Sequence, residues 1–195
     1  MQYKRFFFFS LFLLFFTTLM DAQTAWNTQR LDINKKAMTV LGGWAVGNMA
    51  LGAAMMGRKQ GEDRYFHQMN LAWNAVNFGI ATLGYWQAQK TDPAALDLYQ
   101  SIQQQHGIQK VLLFNAGLDI GYMLGGAYLM ERSKNTAKLP ERLRGFGKSI
   151  VLQGGFLLLF DVTVFSIHNS HNAELKEWLS HLQLSSNGIG FVMRW

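Results

Sequence analysis

VLLFNAGLDIGYMLGGAYLM, residues 111–130, is the stretch that decides how this chain is read. Twenty residues at the α-helical rise cover about 30 Å, the thickness of bilayer hydrocarbon. A single acid, Asp119, interrupts them, and a membrane-crossing helix is the expectation. With successive residues turned by about 100°, Asn115, Asp119 and Tyr122 share one narrow face, and Gly117, Gly121 and Gly125 form a smooth strip on another. The polar face must meet protein or water, while the glycine strip is expected to admit a neighbouring helix at close range.

Three further stretches have the same character: Ala37 to Gly57, Gln68 to Gln89 and Ser149 to His168. Composition alone conceals them, because 49% hydrophobic residues and a mean hydropathy of +0.01 suit a soluble protein. The apolar residues are bunched into helix-length blocks, however, and the charges lie almost wholly between them. The expected fold is all-α: an integral membrane four-helix bundle over 37–168 with short external amphipathic helices. The second span is the least apolar, lowered by Asn70, Asn74 and Asn77.

The chain begins with Lys4 and Arg5, an apolar run from Phe6 to Met20 and small-residue chemistry at Ala22, the pattern of a secretory signal peptide over 1–22. Residues 23–36 then read as an external lead-in or surface helix. Loop charge sets the orientation. Arg58, Lys59 and Arg64 fill one loop, and Arg132, Lys134, Lys138, Arg142, Arg144 and Lys148 fill another. Both are expected in the cytoplasm by the positive-inside rule, with the mature termini on the external, periplasmic side of a bacterial inner membrane. The net charge of +6 is therefore topological, and no nucleic-acid motif accompanies it.

In the external loop Asp92 suits a cap, Pro93 a first helical position and Gly107 a stop, so a separate surface helix is expected there, with Leu96, Tyr99 and Ile102 on its docking side. Residues 169–195 read as an external amphipathic helix, with Leu175, Trp178, Leu179 and Leu182 as its stripe. A tail follows in which Ile189, Phe191, Met193 and Trp195 alternate as in a short strand.

Asp119 and Asp161 are the only acids inside the expected spans. A carboxylate there costs about 2.5 to 3.5 kcal/mol even on the lenient insertion scale, so each must be protonated, partnered or hydrated. Asn74, Asn77, Asn115, Asn48 and Gln153 are the candidate partners in an intramembrane polar cluster, with Asn74 or Asn77 expected to bond Asp119. His168 lies seven residues from Asp161 on the same helix face and, with His171, forms a possible external mouth. The histidine spacing fits no diagnostic metal set, and the chain has no cysteine, so neither a metal nor another cofactor is expected.

The layout is similar to that of the small four-helix inner-membrane proteins of unknown function found in bacteria. A leader ending in DAQ and an aromatic C-terminus resemble proteins of the Bacteroidota. With no nucleophile elbow, phosphate-cradling loop or zinc signature, the expected function is non-enzymatic, a scaffold or partner-binding subunit. The alternative is a small proton- or cation-coupled permease using Asp119 and Asp161. The expected partners are the lipid bilayer and either other proteins or a second copy; nucleic acid is excluded.

Overall fold

The computed structural model describes the backbone of residues 2–180, 182–185 and 188–191, and the side chains of residues 20–173. Its elements are four helices, α1 (Gln2–Met56), α2 (Gly61–Lys90), α3 (Leu98–Arg132) and α4 (Pro140–Ser180). A single 3₁₀ turn, Ser133–Asn135, follows α3, and an antiparallel hairpin of β1 (Leu182–Ser185) and β2 (Gly188–Phe191) closes the described chain. The all-α class is thus observed, with the hairpin as a small addition. Side chains of the N-terminal apolar run, Trp178 and the terminal Met193 and Trp195 lie outside the described residues.

The helices pack as a bundle in the lateral order α1, α2, α4, α3, with α1 also touching α4 and α3. We call the end carrying the α2–α3 connection outer and the end carrying the other two connections inner. At about 1.5 Å per residue, the 35 residues of α3 run to about 52 Å, well beyond a bilayer's hydrocarbon.

That surplus length corrects two expectations. Residues 23–36 are no surface lead-in: they continue α1 without a break and are packed among α3 and α4, with Trp26, Asn27, Arg30 and Leu31 buried. Nor is there a separate helix over 92–107. Asp92 makes a local turn by accepting from Ala94 N at 2.9 Å. The cap falls five residues later, at Asp97, whose carboxylate accepts from Gln100 N at 2.7 Å while Gln100 Oε1 accepts from Asp97 N at 3.1 Å. This reciprocal box starts α3. Gly107 lies within it because continued packing outweighs the helix cost of one glycine, about 1 kcal/mol.

The glycine strip is the third correction. A Cβ added at Gly117, Gly121 or Gly125 would meet nothing within 4 Å, so that strip faces outward. Close approach belongs to Gly126 of α3 and Gly147 of α4. A Cβ at Gly126 would stand 2.7 Å from Gly147 O, and one at Gly147 would stand 2.5 Å from Gly126 O. At the inner end, Glu62 of α2 pairs with Arg144 at 3.2 Å and with Lys148, tying α2 to α4.

Burial is inverted relative to a water-soluble protein. Among the described residues the largest fully buried side chains are all polar: Arg30, His168, Gln105, Gln153, Asn27, Asn70, Asn74, Ser101 and Ser149. Large apolar groups such as Val46, Phe78, Leu83, Phe114, Leu124 and Leu159 stand exposed on the outside. A modest apolar collar of Ala37, Leu41, Ala81, Leu112, Phe160 and Val164 separates polar layers within the bundle. Among the described residues, the helical segments Met20–Met56 and Pro140–Ala173 are long and apolar enough to cross a membrane.

Candidate functional site

The expected polar cluster is divided between two places. Toward the inner end, amides from three helices form one chain of hydrogen bonds. Trp44 Nε1 donates to Gln153 Oε1 at 2.9 Å, and Gln153 Nε2 donates to Asn70 Oδ1. Asn70 Nδ2 then donates to Asn48 Oδ1 at 2.9 Å, and Asn48 Nδ2 to Trp44 O at 2.8 Å. Asn74 joins through its donation to Asn70 O at 2.8 Å. These bonds run within α1 and α2 and between α1, α2 and α4, so the network fixes the relative rotation of three helices.

The acids occupy the second place. Asp119 of α3 and Asp161 of α4 are 3% and 5% exposed, and their carboxyl groups are near enough to interact. Asp119 Oδ2 has no partner among the described residues, and neither has Asn77 Nδ2. Neither Asn74 nor Asn77 therefore bonds Asp119. Asn74 is held by α2's own Asn70, and the group that Asp119 interacts with is the other acid.

Both unpartnered atoms belong to residues lining a cavity of about 870 Å³. It exists because the backbones of α2 and α3 do not meet. Those helices form its lips, and α1 and α4 form its floor. Where the two lips converge, Trp73 and Tyr122 bridge them edge to face at 4.9 Å. Asn115, Asp119 and Tyr122, the face singled out on the sequence, all line this space together with Asn77 and Asp161. Its walls are otherwise largely apolar, with Met38, Leu41, Val76, Ile80, Ile108 and Leu157 among them.

The outer end of the cavity is lined by Arg30, Asn34 and Gln104. Here the second polar layer is built. His168 Nε2 lies 2.9 Å from Asn34 Oδ1, and Gln105 Nε2 donates to His168 O at 2.7 Å. His171 stacks on Trp26 with ring centres 4.8 Å apart; its Nε2 lies 3.1 Å from Trp26 O, and Trp26 Nε1 donates back to His171 O at 3.3 Å. Asn27 Nδ2 donates to Ser101 Oγ at 2.9 Å. The two histidines expected at an external mouth are thus buried cross-braces between α1 and α4. Among the described residues no three histidine or acidic side chains gather closely enough to hold a metal.

Residues 40–162 match DUF6992, a family of unknown function, over more than half of the chain. The chain belongs to this family. The DUF6992 segment contains the amide network and both acids, whereas Arg30, His168 and His171 lie outside it. No curated protein and no solved structure matches the chain.

Arg30, Asn34, Gln105 and Trp73 were not singled out on the sequence. A usable signal was present. Ser101, Gln105 and Gln109 recur at every fourth residue, as do Asn70 and Asn74, which is a polar stripe at helical spacing. In a bundle with an apolar exterior that stripe marks the inside.

Proposed function

We propose that the chain is a non-enzymatic integral membrane protein of the bacterial inner membrane. All four helices cross it, the inner loops lie in the cytoplasm, and the cleft between α2 and α3 serves to hold a partner. The observation that carries this reading is the inverted burial, with amides, acids and Arg30 inside and large apolar side chains outside. In water such a surface is unfavourable by about 25 cal/mol for each Å² of apolar area left exposed; hydrocarbon removes that cost. The surplus of Lys and Arg at the inner end supports the orientation. A scaffold or partner-binding subunit fits a largely apolar cleft of this size, open between two helices.

The absence of cysteine makes a labelling test direct. In intact spheroplasts an impermeant thiol reagent should label Tyr99→Cys, on the exposed outer end of α3, and leave Lys138→Cys unlabelled. The opposite pattern would overturn the orientation. Release of the chain from membranes by alkaline carbonate would overturn membrane insertion itself.

A proton- or cation-coupled permease using Asp119 and Asp161 is the second reading, favoured by the two neighbouring acids lining a cavity. Proteoliposomes of the intact chain should then acidify under an imposed gradient, and Asp161→Asn should abolish the flux with folding kept. Wild-type vesicles no leakier than empty ones would rule this reading out.

A further inference from the structure

Resting on the membrane reading above, we propose that the α2–α3 cleft binds a single-chain membrane amphiphile, its anionic head on Arg30 and its alkyl chain between the two helices.

Arg30 is 1% exposed. Among the described residues its one hydrogen bond, to Asn27 Oδ1, is 3.4 Å long, and its Nε has no partner. Among the described residues no carboxylate lies within ion-pair distance of it. Arginine keeps its charge in proteins, and a buried charge without a counter-ion is costly. The nearby acid on α1, Asp32, is taken by Lys35 at 2.6 Å. His168 and His171, packed against the same segment, bring no negative charge. No counter-charge reaches it among the described residues, and Arg30 lines the cleft through which an anion would enter.

The cleft determines the rest of the ligand. Its volume of about 870 Å³ falls in the range of ordinary ligand sites, about 300 to 1,000 Å³. Apolar walls run from Arg30 past Met38 and Leu41 on the floor, between Ile80 and Ile108 on the lips. Val76 and Ile80 are exposed as well as wall-lining, so the gap opens sideways to hydrocarbon and a chain enters from the bilayer. Polarity follows from charge. Asp119 and Asp161 line the deeper part, repelling an anion, while Arg30, Asn34 and Gln104 offer donors at the outer end.

The test uses the full chain in nonionic detergent at alkaline pH, titrated with dibromostearate and with its methyl ester. The two share a chain and its bromines, which quench tryptophan, but the ester has no charge; Trp73 in the cleft is the reporter. Saturable quenching by the acid is expected, with the ester about 10- to 100-fold weaker, as for loss of a charged hydrogen bond. Arg30→Gln should reduce the acid to the affinity of the ester, and Arg30→Lys should keep most of it. Ile80→Trp, which fills the cleft without touching Arg30, should weaken both ligands. Equal affinity for acid and ester in the wild type, or an Ile80→Trp variant that binds as well as wild type, would overturn the proposal even if Arg30→Gln did not fold. A chain retained by carbonate that shows no preference for the acid defeats the ligand alone; a chain released by carbonate defeats the membrane reading first.

Discussion

Asp119 of α3 and Asp161 of α4 are neighbouring buried carboxyls, one on a lip of the cleft and the other on its floor, in an otherwise largely apolar lining. Removing one strands the other. Asp119→Leu is expected to cost about 1 to 3 kcal/mol, the penalty for leaving a buried polar group unpaired. Asp119→Asn, which keeps both an acceptor and donors, should cost less. Leu124, 67% exposed, should accept valine within about 0.5 kcal/mol. Thermal unfolding in detergent measures all three, and equal losses at 119 and 124 would place Asp119 outside the bundle's energetics.

The Gly126–Gly147 contact predicts an asymmetry among glycines that look alike on the sequence. Gly126→Val must push α3 away from α4 and should cost about 1 to 3 kcal/mol or more through overpacking. Gly121→Ala meets open space and should be neutral or slightly stabilising, since alanine favours the helix by about 1 kcal/mol. Melting temperatures of the two variants compare them, and a destabilising Gly121→Ala would assign that strip to an unseen interface.

Gln153 is the junction of the amide network, accepting from Trp44 and donating to Asn70. Gln153→Leu should cost about 1 to 3 kcal/mol by leaving both without partners. Combining it with Trp44→Phe should cost less than the sum of the single changes, because both remove the same bond. A double-mutant cycle on unfolding free energies reads this, and strict additivity would mean the bond contributes nothing.

The outer segment of α1 is held to the bundle by Asn27–Ser101, Asn34–His168 and Trp26–His171. Asn27→Leu and His171→Leu should therefore speed amide exchange over residues 23–36 and leave the inner part of α1, around residues 41–52, protected. Exchange mass spectrometry resolves the two regions. Uniform loosening along all of α1 would mean that the segment has no separate attachment.

Much of the architecture follows from the sequence without any contact map. Helix-length apolar blocks separated by charged loops predict four helices, because a backbone in apolar surroundings must satisfy its own hydrogen bonds and a helix does so locally. Asp119 with Asn115 and Tyr122 on one face follows from the helical angle alone, and all three line the cleft. What lies across a helix interface is another matter. Helical angle says that Gly117, Gly121 and Gly125 share a side, but which side meets α4 depends on its complementary shape, and Gly126 and Gly147 provide the fit. Likewise Asn74 or Asn77 was the expected partner for Asp119, and only the helix order, which places α4 and not α2 beside α3, brings Asp161 to it instead. The burial of Arg30 was hidden for a related reason: residues 23–36 are polar on average, and only the surplus length of α3 and α4 turns that polarity inward. Spacing along one helix is a local property that the sequence determines; pairing between helices is a property of assembled surfaces, decided by the tertiary structure.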